Sequence, residues 1–222
     1  MSSVPEHHRL FERPYSRAEI ISDGAVHIVG LVAALIGLTA LVMLTARWRG
    51  MVEVSAVVIY GVALVTMLGC SLAYNMMPIS PLKWLLRRFD HCGIYLLIAG
   101  TYTPLLTQVS DPFTAYALAV TVWGGAITGI VMSLGFPGRG EKFKVAAYLA
   151  LAWVAVLAFK PLTASLPALT MTLVVAGGVL YTAGVIFYRW NSLKFQNVIW
   201  HGFVVCAATC HFAAIASAMA GL

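Results

Sequence analysis

The sequence predicts an all-α membrane protein, a seven-transmembrane helix bundle with the N-terminus in the cytoplasm and the C-terminus outside. Three observations carry that expectation. Of the 222 residues, 61% are hydrophobic and only 10% are charged, with a mean hydropathy of +0.89, which leaves too little polar surface to coat a soluble globule. The apolar residues are gathered into runs, most of them near the roughly 20 residues needed to cross the hydrocarbon of a bilayer. The basic residues sit almost wholly in alternate gaps between those runs, as the positive-inside rule requires.

In chain order, residues 1–23 are polar and charged and form an N-terminal cytoplasmic segment, without the short apolar core of a cleaved signal peptide. Seven spans follow, at 24–46, 54–77, 91–109, 113–136, 145–159, 167–188 and 198–222. The fifth is short, but Lys144 and Lys160 flank it and can carry their ammonium groups to the two interfaces. Turn residues separate the spans: Arg49-Gly50, Pro78 with Pro81, Asp111-Pro112, Pro137-Gly138 and Asn191-Ser192. Eleven of the fourteen Lys and Arg residues fall on one side: Arg9, Arg13, Arg17, Lys83, Arg87, Arg88, Arg139, Lys142, Lys144, Arg189 and Lys194. Only Arg47, Arg49 and Lys160 fall on the other, so the first side is cytoplasmic.

The net charge of +6 is spread over these short clusters, which suits anionic lipid headgroups and topology rather than nucleic acid. Cys70, Cys92, Cys206 and Cys210 lie within apolar runs without a CxxC pair, and are expected as free thiols packed like small apolar residues. The expected location is the cell membrane, a bacterial inner membrane, as a multi-pass protein.

Polar groups inside a span are costly, so those that remain are candidates for function. With chain direction alternating, the end of span 2 and the starts of spans 1, 3 and 7 share the cytoplasmic side. Glu19, Asp23 and His27 lie there on span 1, Ser71 and Asn75 on span 2, Asp90 and His91 on span 3, and Asn197 and His201 on span 7. Residues four apart on a helix share a face, and Glu19/Asp23/His27, Ser71/Asn75 and Asn197/His201 all keep that interval. The pattern predicts four helices turning polar stripes toward one pocket. Helix capping and hydrogen bonds between helices explain any single one of these residues equally well. His211 lies about 15 Å deeper along span 7 than His201 and reads as a hydrogen-bonded core histidine. His7 and His8 sit on the polar tail and carry no specific expectation. Glycines such as Gly124-Gly125 and Gly177-Gly178 suit close helix packing.

Several of these residues stand within longer motifs. The end of span 2 reads SLAYN, residues 71–75, followed by Pro78 and by FDHCGIYLLIAGTYTP, residues 89–104; span 7 opens with NVIWHGFVV and continues to CHF, residues 197–212. These motifs resemble the bacterial hemolysin III family, within the progestin and adipoQ receptor group, which is also distantly similar to alkaline ceramidases. The resemblance implies a seven-helix bundle with a cytoplasmic N-terminus. It also implies a zinc ion near the cytoplasmic face, held by a histidine four residues after the span 2 serine and by an HxxxH pair on span 7, with a span 3 aspartate holding the metal-bound water.

Carried onto this chain, Ser71, Asp90 and His201 match that pattern, while the two other ligand positions are Asn75 and Asn197. An amide oxygen is a harder and weaker donor than imidazole for a borderline-soft ion such as Zn²⁺. Asp23, His27, Glu19 or His91 would have to compensate. Two asparagines facing each other could equally bridge the helices by hydrogen bonds without any ion.

Three functions follow. The pocket can serve a membrane protein that senses lipid state or maintains lipid homeostasis, with a membrane lipid or fatty acid as partner and protein partners unknown. It can serve a metal-dependent hydrolase of lipid amide or ester bonds, with Asp90 and Ser71 as the catalytic pair. Cytolytic pore formation is the third; the outer halves of the spans lack the polar ladder that a wide channel exposes. The sequence leaves open whether the protein is an enzyme.

Overall fold

A computed structural model describes residues 15–136 and 141–221. Arg9, Arg13, Arg139, the turn at Pro137-Gly138, His7, His8 and Leu222 lie outside the described residues, as does the side chain of Lys142. Among the described residues every regular element is helical: α1 Arg17–Trp48, α2 Met51–Met76, α3 Pro81–Leu106, α4 Pro112–Gly135, α5 Glu141–Ala152, a 3-10 turn at Val154–Ala158, α6 Phe159–Ser165, α7 Ala168–Tyr188 and α8 Gln196–Ala220.

Capping chemistry sets where several of the helices begin. Ser16 opens α1 with a capping box: its hydroxyl accepts from the Glu19 backbone N–H, and the Glu19 carboxylate accepts from the Ser16 N–H, which satisfies two otherwise orphaned donors. Ser80 caps α3 ahead of Pro81, and Asp111 caps α4 ahead of Pro112; proline at the first helical position surrenders no hydrogen bond. The Asp111 carboxyl is held below the usual carboxylate range by the hydroxyl and backbone N–H of Thr114.

Among the described residues, six stretches are long and apolar enough to cross a membrane: α1, α2, α4, residues Lys144–Ser165, α7 and α8. Two expected spans are drawn differently. The third was expected at 91–109, but α3 starts ten residues earlier, at Pro81, with Lys83, Arg87, Arg88 and Asp90 in its first turns, and it is not one of the six apolar stretches. It is nonetheless rich in buried residues, His91, Cys92, Gly93, Tyr95 and Leu97 among them, because it touches α2, α4, α5 and α8. The fifth was expected at 145–159 between two interfacial lysines. Instead the apolar stretch runs on through Lys160 to Ser165 and breaks near Trp153, where α5 gives way to the 3-10 turn.

A broken helix exposes backbone groups that hydrocarbon cannot satisfy. Tyr102 on α3 closes this break. Its hydroxyl donates to the Ala152 carbonyl (2.8 Å) and accepts from the Ala155 N–H (3.0 Å), so one side chain replaces two lost helical bonds.

Around the bundle, α1 packs between α2 and α8, α2 packs on α3, α3 on α4 and α7 on α8. The main core joins Leu41 of α1, Val57, Tyr60, Leu64 and Leu68 of α2, Leu97 of α3 and Val204 and Ile215 of α8. Glycines permit the closest approaches: a Cβ on Gly100 would lie 2.6 Å from the Ala63 Cβ, and one on Gly93 would lie 3.0 Å from the Met67 Cα. Small residues at such crossings let van der Waals packing hold helices together where lipid offers no hydrophobic drive. All four cysteines are free. This packing brings the N-terminal end of α1, the C-terminal end of α2, and the N-terminal ends of α3 and α8 to one end of the bundle.

Tyr102→Phe removes the patch on the fifth span while keeping the ring. It is expected to cost about 1–3 kcal/mol, the penalty for stranding buried polar groups, and to lower the thermal midpoint in detergent; an unchanged midpoint would contradict the role given to Tyr102.

Candidate functional site: a buried Asp-His-His centre

The centre begins with one face of α1. Asp23 and His27 are a helical turn apart and both nearly fully buried, at 3% and 2% exposure. The His27 Nδ1 lies 2.8 Å from the Asp23 backbone carbonyl. A carbonyl only accepts, so Nδ1 carries a proton, and in the neutral ring the lone pair then lies on Nε2. That nitrogen lies 3.0 Å from the Ser71 hydroxyl on α2.

From α8, His201 brings its Nδ1 to 2.6 Å from Asp23 Oδ1, with both side chains buried. This is a charge-assisted bond in which the imidazole N–H donates to the carboxylate. In the neutral ring this puts the lone pair on the His201 Nε2. The two imidazoles meet edge to face with centroids 4.2 Å apart.

Ser71 links this group to the neighbouring helices. The Asp90 carboxyl of α3 stands near the Ser71 hydroxyl. The Asn75 amide donates to the Ser71 carbonyl (2.9 Å) and, at 3.4 Å, to its hydroxyl, so Asn75 orients the serine from its own helix. The structure thus brings Asp23, His27, Ser71, Asn75, Asp90 and His201 together.

Three candidates do not join them. Glu19 turns its carboxylate to the Ser16 and Phe195 backbone N–H groups. His91 points toward α5, with Nδ1 3.4 Å from the Lys144 ammonium. Asn197 accepts from the Tyr15 hydroxyl at 3.4 Å, so the expected face-to-face pair of Asn75 and Asn197 does not form: each asparagine is engaged elsewhere. The reason is rotational, since a four-residue interval leaves successive side chains about 40° apart, enough to send one into the centre and the next to its rim. His211 lies outside the centre and bonds the Val174 carbonyl through Nε2 at 3.2 Å.

Sequence reasoning gave Lys83 only a topological role. Its ammonium binds the carbonyls of Tyr74 (3.0 Å), Asn75 (3.4 Å) and Met77 (2.8 Å), closing the C-terminal end of α2 just beyond Ser71 and Asn75. A lysine shortly after a helix end is the usual signal for this contact. Gln196, buried beside the site, was also missed; it donates to the Tyr188 carbonyl at 2.7 Å.

One ligand atom from each of Asp23, His27 and His201 can be chosen so that all three lie within 4.8 Å of one another. Two imidazoles and a carboxylate are a donor set for a divalent transition ion that keeps a further position open. Tetrahedral zinc places neighbouring ligand atoms about 3.3 Å apart, so the three would close inward around an ion. The residues present therefore fit a divalent cation by chemistry.

A family model described as Haemolysin-III related matches residues 19–212. The chain belongs to the hemolysin III family. Its relatives include the Hemolysin-3 homolog of Bacillus subtilis, 32% identical over 194 residues that make up 87% of this chain and 91% of that protein. Hemolysin-3 of Bacillus cereus is 32% identical over 187 residues, 84% of this chain and 85% of its own. The human monocyte to macrophage differentiation factor is 27% identical over 167 residues, 71% of this chain and 67% of that one. No solved structure matches the chain significantly. With its apolar helices, this hemolysin III family member is a multi-pass membrane protein.

Asp23 and His201 are expected to be strongly coupled. In a double-mutant cycle of Asp23→Asn and His201→Ala, followed by equilibrium unfolding in mixed micelles, the two losses should fail to add by about 1–3 kcal/mol. Additive losses would mean that the contact contributes no net energy.

Proposed function

We propose that this hemolysin III family member is a seven-span, lipid-linked membrane protein with a divalent-cation centre near its cytoplasmic face. The Asp23, His27 and His201 cluster carries the reading: three metal-capable side chains buried inside a membrane bundle, where unpaired ionisable groups are expensive and mark functional sites. The seven spans are the six apolar stretches and α3. The excess of Lys and Arg at the ends that hold the centre supports a cytoplasmic N-terminus and an external C-terminus.

In this reading the ligands differ from those the family resemblance implies. The positions of the span 2 histidine and of the first HxxxH histidine are Asn75 and Asn197, and α1 supplies the replacement donors, Asp23 and His27. Zinc is the ion the resemblance suggests, and a set of two histidines and one carboxylate also accepts other first-row divalent ions. The role we assign is sensing or homeostasis of membrane lipid, with a lipid or fatty acid headgroup as the molecule recognised at the centre.

Ser71 and Asp90 favour a second reading, hydrolysis of a lipid amide or ester. A divalent ion would supply a Lewis acid there. The chain's own part would be to hold the reacting groups: the Asn75 amide orients the Ser71 hydroxyl, and the Asp90 carboxylate can accept a proton.

Elemental analysis of protein purified without chelator tests the centre. Wild type is expected to carry one divalent ion per chain; His27→Ala and His201→Ala should lose it, and Asn75→Ala should keep it. Metal-free wild type would overturn the proposal, and loss of the ion in Asn75→Ala would move the ligand set back to α2. Membrane lipid composition in a deletion strain complemented with His201→Ala tests the lipid role, which requires the variant to behave like the deletion.

A further inference from the structure

We infer that Glu19 is a positioning residue that sets the register of α1 against α8 and so holds His201 on Asp23; the inference rests on the cation centre proposed above. The Glu19 side chain is buried, at 6% exposure, and its two oxygens are divided between two helices. Oε2 accepts from the Ser16 N–H (2.9 Å), closing the capping box of its own helix. Oε1 accepts from the Phe195 N–H (2.9 Å), at the first residue before α8.

That end of α8 needs an external partner. Its N-cap, Phe195, makes no side-chain capping bond and sits in the left-handed region at φ 57°. No other described non-glycine residue has a positive φ. Such a conformation is costly for a bulky residue and persists only where surrounding contacts demand it. The Glu19 carboxylate supplies one such contact. It also places a negative charge at the positive end of the α8 dipole.

The rest follows from helical spacing. Asp23 lies four residues beyond Glu19 on α1, and His201 lies six residues beyond Phe195 on α8. Two bonds between the same pair of helices, Glu19 to Phe195 and Asp23 to His201, fix both the sliding and the rotation of α8 relative to α1. With only the second bond, the imidazole could follow a fraying first turn of α8 away from His27. Glu19 thereby acts through the backbone of α8.

The test compares Glu19→Ala, Glu19→Gln and Ser16→Ala in the full-length protein. Glutamine keeps an oxygen for the Phe195 N–H, whereas alanine removes it. Ser16→Ala breaks the hydroxyl side of the same capping box and leaves the link to α8 intact. Zinc affinity, measured by competition with a chelating dye, should fall at least about tenfold in Glu19→Ala, as for loss of an outer-shell partner. It should stay near wild type in Glu19→Gln and Ser16→Ala. Amide hydrogen exchange across residues 196–201, measured without added metal, should quicken by roughly tenfold in Glu19→Ala alone.

Unchanged exchange in Glu19→Ala would overturn the inference, and so would equal loss of zinc in Ser16→Ala and Glu19→Ala, which marks general damage to the start of α1. Wild type that binds no zinc while Glu19→Ala still quickens exchange would remove the cation centre and leave the α1 to α8 link standing.

Discussion

A carboxylate buried within a membrane bundle must find a partner or lose its charge, and Asp23 finds His201. Their 2.6 Å bond is the contact around which the polar end of this protein is arranged. It joins the first helix to the last, and in a low-dielectric interior that pairing is what makes the carboxylate tolerable. The other polar residues arrange themselves accordingly. His27 stands one turn from Asp23 and reaches Ser71 on α2, Ser71 meets Asp90 on α3, and the edge-to-face contact of His27 with His201 closes the group.

The remaining architecture supports this end by ordinary membrane-protein means. Where the fifth span breaks, Tyr102 supplies the missing bonds; where α2 ends, the Lys83 ammonium gathers the free carbonyls; where α8 begins without a cap, Glu19 accepts from its backbone. Each is a solution to the same constraint, that backbone polar groups near lipid cannot be left to water. The glycine contacts at Gly93 and Gly100 then bring α3 close enough to α2 for Asp90 to stand beside Ser71.

These features put three metal-capable side chains on helices that are tied together. Asp23, His27 and His201 lie on α1 and α8, the two helices bound to each other at Glu19 and Asp23. Ser71, Asn75 and Asp90 stand beside them on α2 and α3.

Membership of the membrane class, the helical spans and the shared end of the polar residues were legible in the sequence, because hydropathy, Lys/Arg distribution and alternating chain direction are properties of composition and order alone. The motif around Ser71, Asp90 and His201 pointed to the family for the same reason. What each polar side chain meets was decided by tertiary structure. Glu19, Asp23 and His27 share one four-residue spacing, yet Glu19 serves a backbone, Asp23 a histidine and His27 a serine, because the small rotation per step meets different neighbours at each turn. The break at Trp153 and the departure of His91 toward Lys144 were equally hidden. A local pattern states which face a residue occupies, and only the packed neighbours determine which bond it makes there.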